Sequence, residues 1–370
     1  MAVDHELRVT YANDSRHGAK PDWIADLAGW EYYLDKAAPA DFADYVTFTP
    51  DVVFVVTPDW THVDIVAKWL GRAALVFVEK PFDIDPKKVE ALLRTLDDSG
   101  TEVFGLDHYL CYILPLIQAS TDLDEFLGPT IESVEFVLTE TKLIPVNREA
   151  SLLSGMTFDL LPHGLALSLL FGRLDAVADI SVISVGSYTP RVCSDDDGKW
   201  IPMTRFQAET CSLVEFSVPQ IHQDDRCIRV RSLVGKGFGN SVKYFEARSP
   251  SGRFVRVDFG PPDKHNCPAG YVFFGLNSDS EGAVSDRYLA SRHMQIAGDP
   301  PAVLVPRSRY AALVTALATG AADPALALAL TVEEALDLVT TLATIVEAVR
   351  RKAGQPYTLG EVQIWQDLES

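Results

Sequence analysis

Short apolar runs alternate with helical spacings through the first hundred residues. LRVTYA (7–12), EYYLD (31–35), VVFVVT (52–57), ALVFVE (74–79) and EVFGL (102–106) predict strands. Several are apolar on both faces and β-branched, as parallel strands covered by helices are. Between them PDWIADLAGW (21–30), HVDIVAKWLGR (62–72) and PKKVEALLRTLDDSG (86–100) predict helices, the last two ending near a glycine. Strand–helix alternation of this kind predicts a Rossmann-like, doubly wound parallel sheet.

The period then changes. FDLLPHGLALSLLFG (158–172) predicts one buried helix that Pro162 tightens or kinks. From about 176 to 273 the period is two, in DISVISVGS, SLVEFSV, CIRVRSLVG, SVKYFEAR and RFVRVDF, with SPSG (249–252) as a hairpin turn. Helical spacing returns at 307–320 and 331–352. The expected architecture is an α/β Rossmann-like domain over 1–110 and an α+β domain over 111–370. The second domain is built on a large open antiparallel sheet, and the last helices pack back on the first. An open sheet of this kind covers one face by pairing with a second copy, so a homo-oligomer through that sheet is expected.

Composition narrows the partners. The 370 residues hold 32 Lys and Arg against 52 Asp and Glu, a net charge of −20. Such a surface repels phosphate backbones and anionic lipids, so neither nucleic acid nor membrane is expected as a partner. A small-molecule substrate is. Cys111, Cys193, Cys211, Cys227 and Cys267 are odd in number and widely spaced, without a CxxC pair. That is the pattern of reduced thiols in the cytoplasm. The start MAVDHELRVTYAN lacks a leader pattern, and no apolar run reaches the roughly 20 residues of a spanning helix.

Candidate chemistry gathers at strand ends. Thr57-Pro58, Glu79-Lys80-Pro81 and Asp107-His108 each follow a strand directly, and ligands of open α/β sheets bind beyond the carboxyl ends of strands. Asp159 and His163, four apart, share one face of the predicted helix. A lysine, an aspartate and one or two histidines lining a common cleft suit proton transfer to or from a hydroxyl. Metal binding is not expected. Lys264-His265-Asn266-Cys267 is isolated, and Asp195-Asp196-Asp197-Gly198 lacks the remaining calcium-loop ligands.

The pair VVFVVTPDWTH (52–62) and LVFVEKPF (75–82), with Asp159 and His163 as D-x-x-x-H, resembles the glucose–fructose oxidoreductase, inositol dehydrogenase and MocA family of nicotinamide-dependent dehydrogenases. Asp107-His108-Tyr109-Leu110 and EKPFDID add a likeness to glucose-6-phosphate dehydrogenase, whose lysine after that tetrad is replaced here by Tyr112. The resemblance implies hydride transfer between NAD or NADP and a hydroxyl or carbonyl of a sugar, polyol or related metabolite. It implies Lys80 and His163 as catalytic groups, with Asp159 as orienter. It places the cofactor on Asn13, Ser15, Asp35, Thr57, Pro58, His62, Glu79 and Pro81, and the substrate on Asp107, His108, Tyr109 and Arg148.

One departure stands out. Family members open with strand, G-x-G-x-x-G, helix, whose glycines let the backbone approach a diphosphate. Here Ala12, Asp14 and His17 hold those positions. Either residues 7–12 are the first strand, with Asp35 about 20 residues beyond Asp14 as the ribose-binding acid, or they are already the second strand and the first unit is absent. The first alternative avoids a gap in the sheet. Gly235-Lys236-Gly237-Phe238-Gly239, without a following helix, reads as a turn or bulge between antiparallel strands. Three activities remain open at this point: an NAD(P)-dependent oxidoreductase, a non-redox isomerase, lyase or cyclase using Lys80, Asp159 and His163, and a metabolite-binding regulatory protein.

Overall fold

The computed structural model describes residues 10–12, 31–33, 49–107, 109–111, 114, 123–140, 149–188, 191–193, 200–202, 208–221, 223–236, 242–259, 270–276, 294–295, 313, 317 and 328–353. The chain divides into two compact units: Met1–Leu106 with Leu313–Leu336, and Asp107–Ala312 with Asp337–Ser370.

In the first unit β1 (Thr10–Ala12) and β2 (Glu31–Tyr33) pair in parallel. A second parallel ladder joins β3 (Val52–Val55), β4 (Leu75–Glu79) and β5 (Glu102–Leu106), with β4 in the middle. Among the described residues β1 and β2 form a sheet separate from that of β3, β4 and β5. The middle strand is apolar on both faces, and Val76, Phe77 and Val78 are fully buried. α1 (His62–Trp69) buries Val63, Ile65, Val66 and Trp69 on one stripe. α2 (Pro86–Leu96) starts where the Asp85 side chain accepts from the Lys87 amide at 2.9 Å and Pro86 takes the first position. Leu330 bridges Gly105 through reciprocal backbone bonds of 2.8 Å, and Val332 and Ala335 are buried just beyond it. These residues open α5 (Val332–Ala353).

Among the described residues the second unit is built on an eight-stranded sheet. Besides α3 (Leu123–Leu127), its elements are β6 (Ser133–Glu140), α4 (Glu149–Ser168), β7 (Ala178–Tyr188), β10 (Ala208–Gln220), β11 (Gln223–Lys236), β12 (Val242–Arg248), β13 (Arg253–Phe259), β14 (Gly270–Leu276) and β15 (Met294–Gln295). The strand order is β15-β14-β13-β12-β6-β11-β10-β7, and β8 (Arg191–Cys193) and β9 (Trp200–Pro202) form a separate hairpin. The SPSG turn is where the sequence puts it, with Gly252 at φ 79 donating to Ser249 at 3.0 Å.

The sheet is mostly antiparallel, as expected, with one parallel pair, β6 and β11. Gly235 and Lys236, which open the glycine cluster, lie at the end of β11. Two expectations are corrected. The helix expected over 158–172 spans Glu149–Ser168. Its non-helical point is Gly155 (φ 86, ψ 170), and the helix continues through Pro162. The expected helices at 21–30 and 307–320 lie outside the described residues, apart from positions 313 and 317.

Candidate active site

In the first unit two turns at strand ends are laced together. After β3, Thr61 Oγ1 donates to the Pro58 carbonyl at 2.6 Å and lies 2.8 Å from Thr57 Oγ1. His62 opens α1 and is buried; its Nδ1 is 3.0 Å from the Pro81 carbonyl and its Nε2 2.7 Å from the Thr57 carbonyl. Asp83 accepts from the Val63, Ile84 and Asp85 amides at 3.3, 2.7 and 3.0 Å. Burial, opposed by those amides and by Lys88, leaves the Asp83 carboxyl above its ordinary value. Glu79, Lys80 and Pro81 therefore leave β4 through a turn held from two sides, with a cis Lys80–Pro81 peptide. Both ring nitrogens of His62 serve the backbone, so its place is that of a strap between the two turns rather than an outward-facing ligand group. Glu79 and Lys80 are half-buried.

In the second unit the centre is His163. Its Nδ1 meets Asp107 Oδ2 at 2.7 Å, and both side chains are buried. Asp107 Oδ1 accepts from the Tyr109 and Leu110 amides at 2.8 and 3.0 Å. The Tyr109 ring stands edge-on to the imidazole, with centroids 4.5 Å apart. A carboxylate that accepts from Nδ1–H leaves the proton-accepting lone pair on Nε2. Asp159, read as the orienter of His163, instead accepts from Lys236 Nζ at 2.8 Å. The buried partner of His163 is Asp107, which the sequence had placed among the substrate contacts. Lys236 was missed because it lies about 70 residues beyond the D-x-x-x-H pair in a strand whose partners only the fold supplies. Asn13, Ser15, Asp35, His108 and Arg148 lie outside the described residues, as do Tyr112 and the segments 195–198 and 264–267. Among the described residues no group of three His, Cys, Asp or Glu could hold a metal, and no helix is long and apolar enough to cross a membrane.

The strand-end edge of the first unit suits a nicotinamide dinucleotide in the part described. It is the carboxyl end of a parallel sheet, and it carries the Thr57 and Thr61 hydroxyls at the end of β3 and the carboxylate of Glu79 at the end of β4.

Comparison with known proteins gives three findings. Residues 5–105 match the Gfo/Idh/MocA family, described as an oxidoreductase family with an NAD-binding Rossmann fold. An inositol 2-dehydrogenase from Rhizobium meliloti (strain 1021) is 32% identical over 53 residues, a match that spans only 14% of this chain and 16% of that enzyme. Among solved structures, a variant of a 3-ketoreductase from Actinomadura kijaniata, in complex with TDP-benzene and NADP, is 16% identical over 94% of this chain and 88% of its own, with a TM-score of 0.52. UDP-N-acetylglucosamine 3-dehydrogenase GnnA from Acidithiobacillus ferrooxidans is 13% identical over 87% and 84%, with a TM-score of 0.51. At these identities the solved structures share the fold.

Proposed function

We propose, from the match of residues 5–105 to the Gfo/Idh/MocA oxidoreductase family, that the chain is an NAD(P)-dependent oxidoreductase. Its substrate is a hydroxyl or carbonyl compound, a sugar, polyol or related small metabolite. The observation that carries this reading is the buried His163–Asp107 pair. Asp107 is a positioning residue: it fixes the ring and its tautomer, so that Nε2 takes the proton of a substrate hydroxyl or returns it to a carbonyl oxygen. Lys80 stabilises the oxygen whose charge changes, from the strapped turn at the end of β4. When bound, the nicotinamide accepts or donates the hydride. Thr57, Pro58, Glu79 and Pro81, with Asn13, Ser15 and Asp35, are the residues proposed to hold it, and His62 supports the turns. Asp159, Tyr109, His108 and Arg148 complete the proposed substrate side.

The test is cofactor-dependent turnover across a panel of sugars and polyols, read as nicotinamide absorbance. Lys80→Ala and His163→Ala are expected to cut kcat on the order of a hundredfold or more, with cofactor binding retained. Full activity in both variants, or turnover without cofactor reduction, overturns the reading.

The proposal extends to assembly and place. The sheet face opposite α4 carries a cross-strand row, Glu215–Arg231–Glu135–Glu246–Arg256, running from β10 to β13. Arg231 lies 3.6 Å from Glu215 and 3.9 Å from Glu135, and Arg256 lies 3.9 Å from Glu246. A two-fold axis sets such a row of both signs against its own complement, which supports a homo-oligomer through this face. Cys211 and Cys227 are free thiols, which supports a reducing compartment, the cytoplasm.

A further inference from the structure

Three inner-face rows of the second unit's sheet change character at the same edge. In β6, Phe136 and Leu138 are buried and the row ends in Glu140; in β11, Val230 and Val234 are buried and it ends in Lys236; in β12, Ala247 and Phe245 are buried and it ends in Lys243. α4 lies on this face, so close at Gly164 that a Cβ there would come within 2.7 Å of the Phe136 ring. About one and a half turns earlier the same helix sets Asp159 onto the charged edge. Lys236 Nζ donates to Asp159 Oδ2 at 2.8 Å and lies 4.0 Å from Glu140 Oε2, and Lys243 Nζ donates to Glu140 Oε1 at 2.6 Å. The two ammonium groups hold the Glu140 carboxyl below its ordinary value although burial works the other way.

These are enclosed charges, with the side chains of Lys236 and Asp159 each 11% exposed. Closing the end of a helix-on-sheet layer needs only apolar side chains, which avoid the desolvation that enclosed ions suffer. The quartet alternates in sign and sums to zero. A donor and an acceptor 2.8 Å apart match a hydroxyl, which accepts from an ammonium and donates to a carboxylate at once. Phosphate and carboxylate only accept, and against Lys236 they would meet Asp159 and Glu140. His163 follows Asp159 by one helical turn on the same face.

Resting on the oxidoreductase reading above, we propose that Lys236 is a specificity-determining residue of the substrate site. Paired with Asp159, it reads an uncharged hydroxyl next to the reacting one, so the substrate is a neutral polyol or sugar at that end and not its phosphate ester.

The experiment uses the full chain and two matched sets of probes: myo-inositol, D-glucose and glycerol, and their phosphate monoesters. Calorimetry reads binding with and without NAD(P)H, and steady-state assays read KM and kcat. Wild type is expected to bind at least one neutral probe more tightly than its ester. Lys236→Met is expected to raise KM for that probe about tenfold to a hundredfold, with a smaller change in kcat and unchanged cofactor binding. Asp159→Asn, which releases the ammonium from its carboxylate, is expected to strengthen ester binding and keeps the test open if Lys236→Met does not fold. Tighter binding of the esters, binding of neither set, or an unchanged KM in folded Lys236→Met overturns the proposal. Loss of cofactor binding alone sinks the oxidoreductase reading and leaves the probe binding to be read on its own.

Discussion

Asp107 gathers an imidazole nitrogen and two backbone amides on one buried carboxylate. Asparagine preserves the shape and keeps an oxygen for the Tyr109 and Leu110 amides. It turns an NH2 towards Nδ1, however, and so moves the ring proton to Nε2. Asp107→Asn is therefore expected to fold with a small change in melting temperature and to lose on the order of a hundredfold or more in kcat, as tautomer reversal does elsewhere. A folded variant with wild-type kcat would remove His163 as the proton acceptor.

Glu209 poses the opposite case. It is fully buried, Oε1 accepts from the Thr157 amide at 3.2 Å, and Oε2 has no hydrogen-bond partner among the described residues. Burial raises its carboxyl above the ordinary value, with the charge of Arg350 opposing. A group whose folded pKa is raised contributes its full stability below the unfolded value and loses it as pH rises through the folded one. The stability of Glu209→Gln minus that of wild type is thus expected to grow as pH rises above the ordinary carboxylate range. Thermal melts that show a flat or shrinking difference would contradict this.

Among the elements, α4 joins the candidate site to the core of its unit, and its one break is fixed by close approach. At Gly155 a Cβ would stand 2.0 Å from the Glu209 carboxylate oxygens, and the backbone is at φ 86, ψ 170, a region only glycine occupies without strain. Gly155→Ala is expected to cost more than about 2 kcal/mol in denaturant unfolding; a neutral substitution would mean that the break is not held by this contact. The break was illegible in the sequence because its cause, Glu209, lies 54 residues further on, while Pro162 offered a local and misleading signal. What could be read is what depends on neighbours in the chain. VVFVV, LVFVE and EVFGL are apolar on both faces and became β3, β4 and β5, and the Asp85–Pro86 cap placed α2. The parallel β6–β11 pairing joins residues 96 positions apart and leaves no local trace. The same holds for the candidate residues: Lys80, Asp107 and His163 carry motifs, whereas the pairing of Asp107 with His163 and of Lys236 with Asp159 is assigned only by the fold.

At the scale of the whole molecule, the net charge of −20 disfavours association of copies unless opposite charges are set against each other. The cross-strand row on the open sheet face supplies both signs. If that face joins two copies, sedimentation is expected to show an oligomer at low salt that weakens as ionic strength shortens the Debye length from about 30 to about 8 Å. Arg231→Glu, which replaces the cation between Glu215 and Glu135, is expected to shift the equilibrium towards monomer. A monomer at every salt concentration would contradict the assembly.

Hydride transfer by this chain requires a nicotinamide cofactor, although residues 12–17 hold none of the usual glycines. The most direct measurement is a calorimetric titration of NADH and NADPH into the purified chain. Saturable binding of one of them, close to one per chain, is the predicted result; no saturable binding of either at millimolar concentration would contradict the oxidoreductase reading.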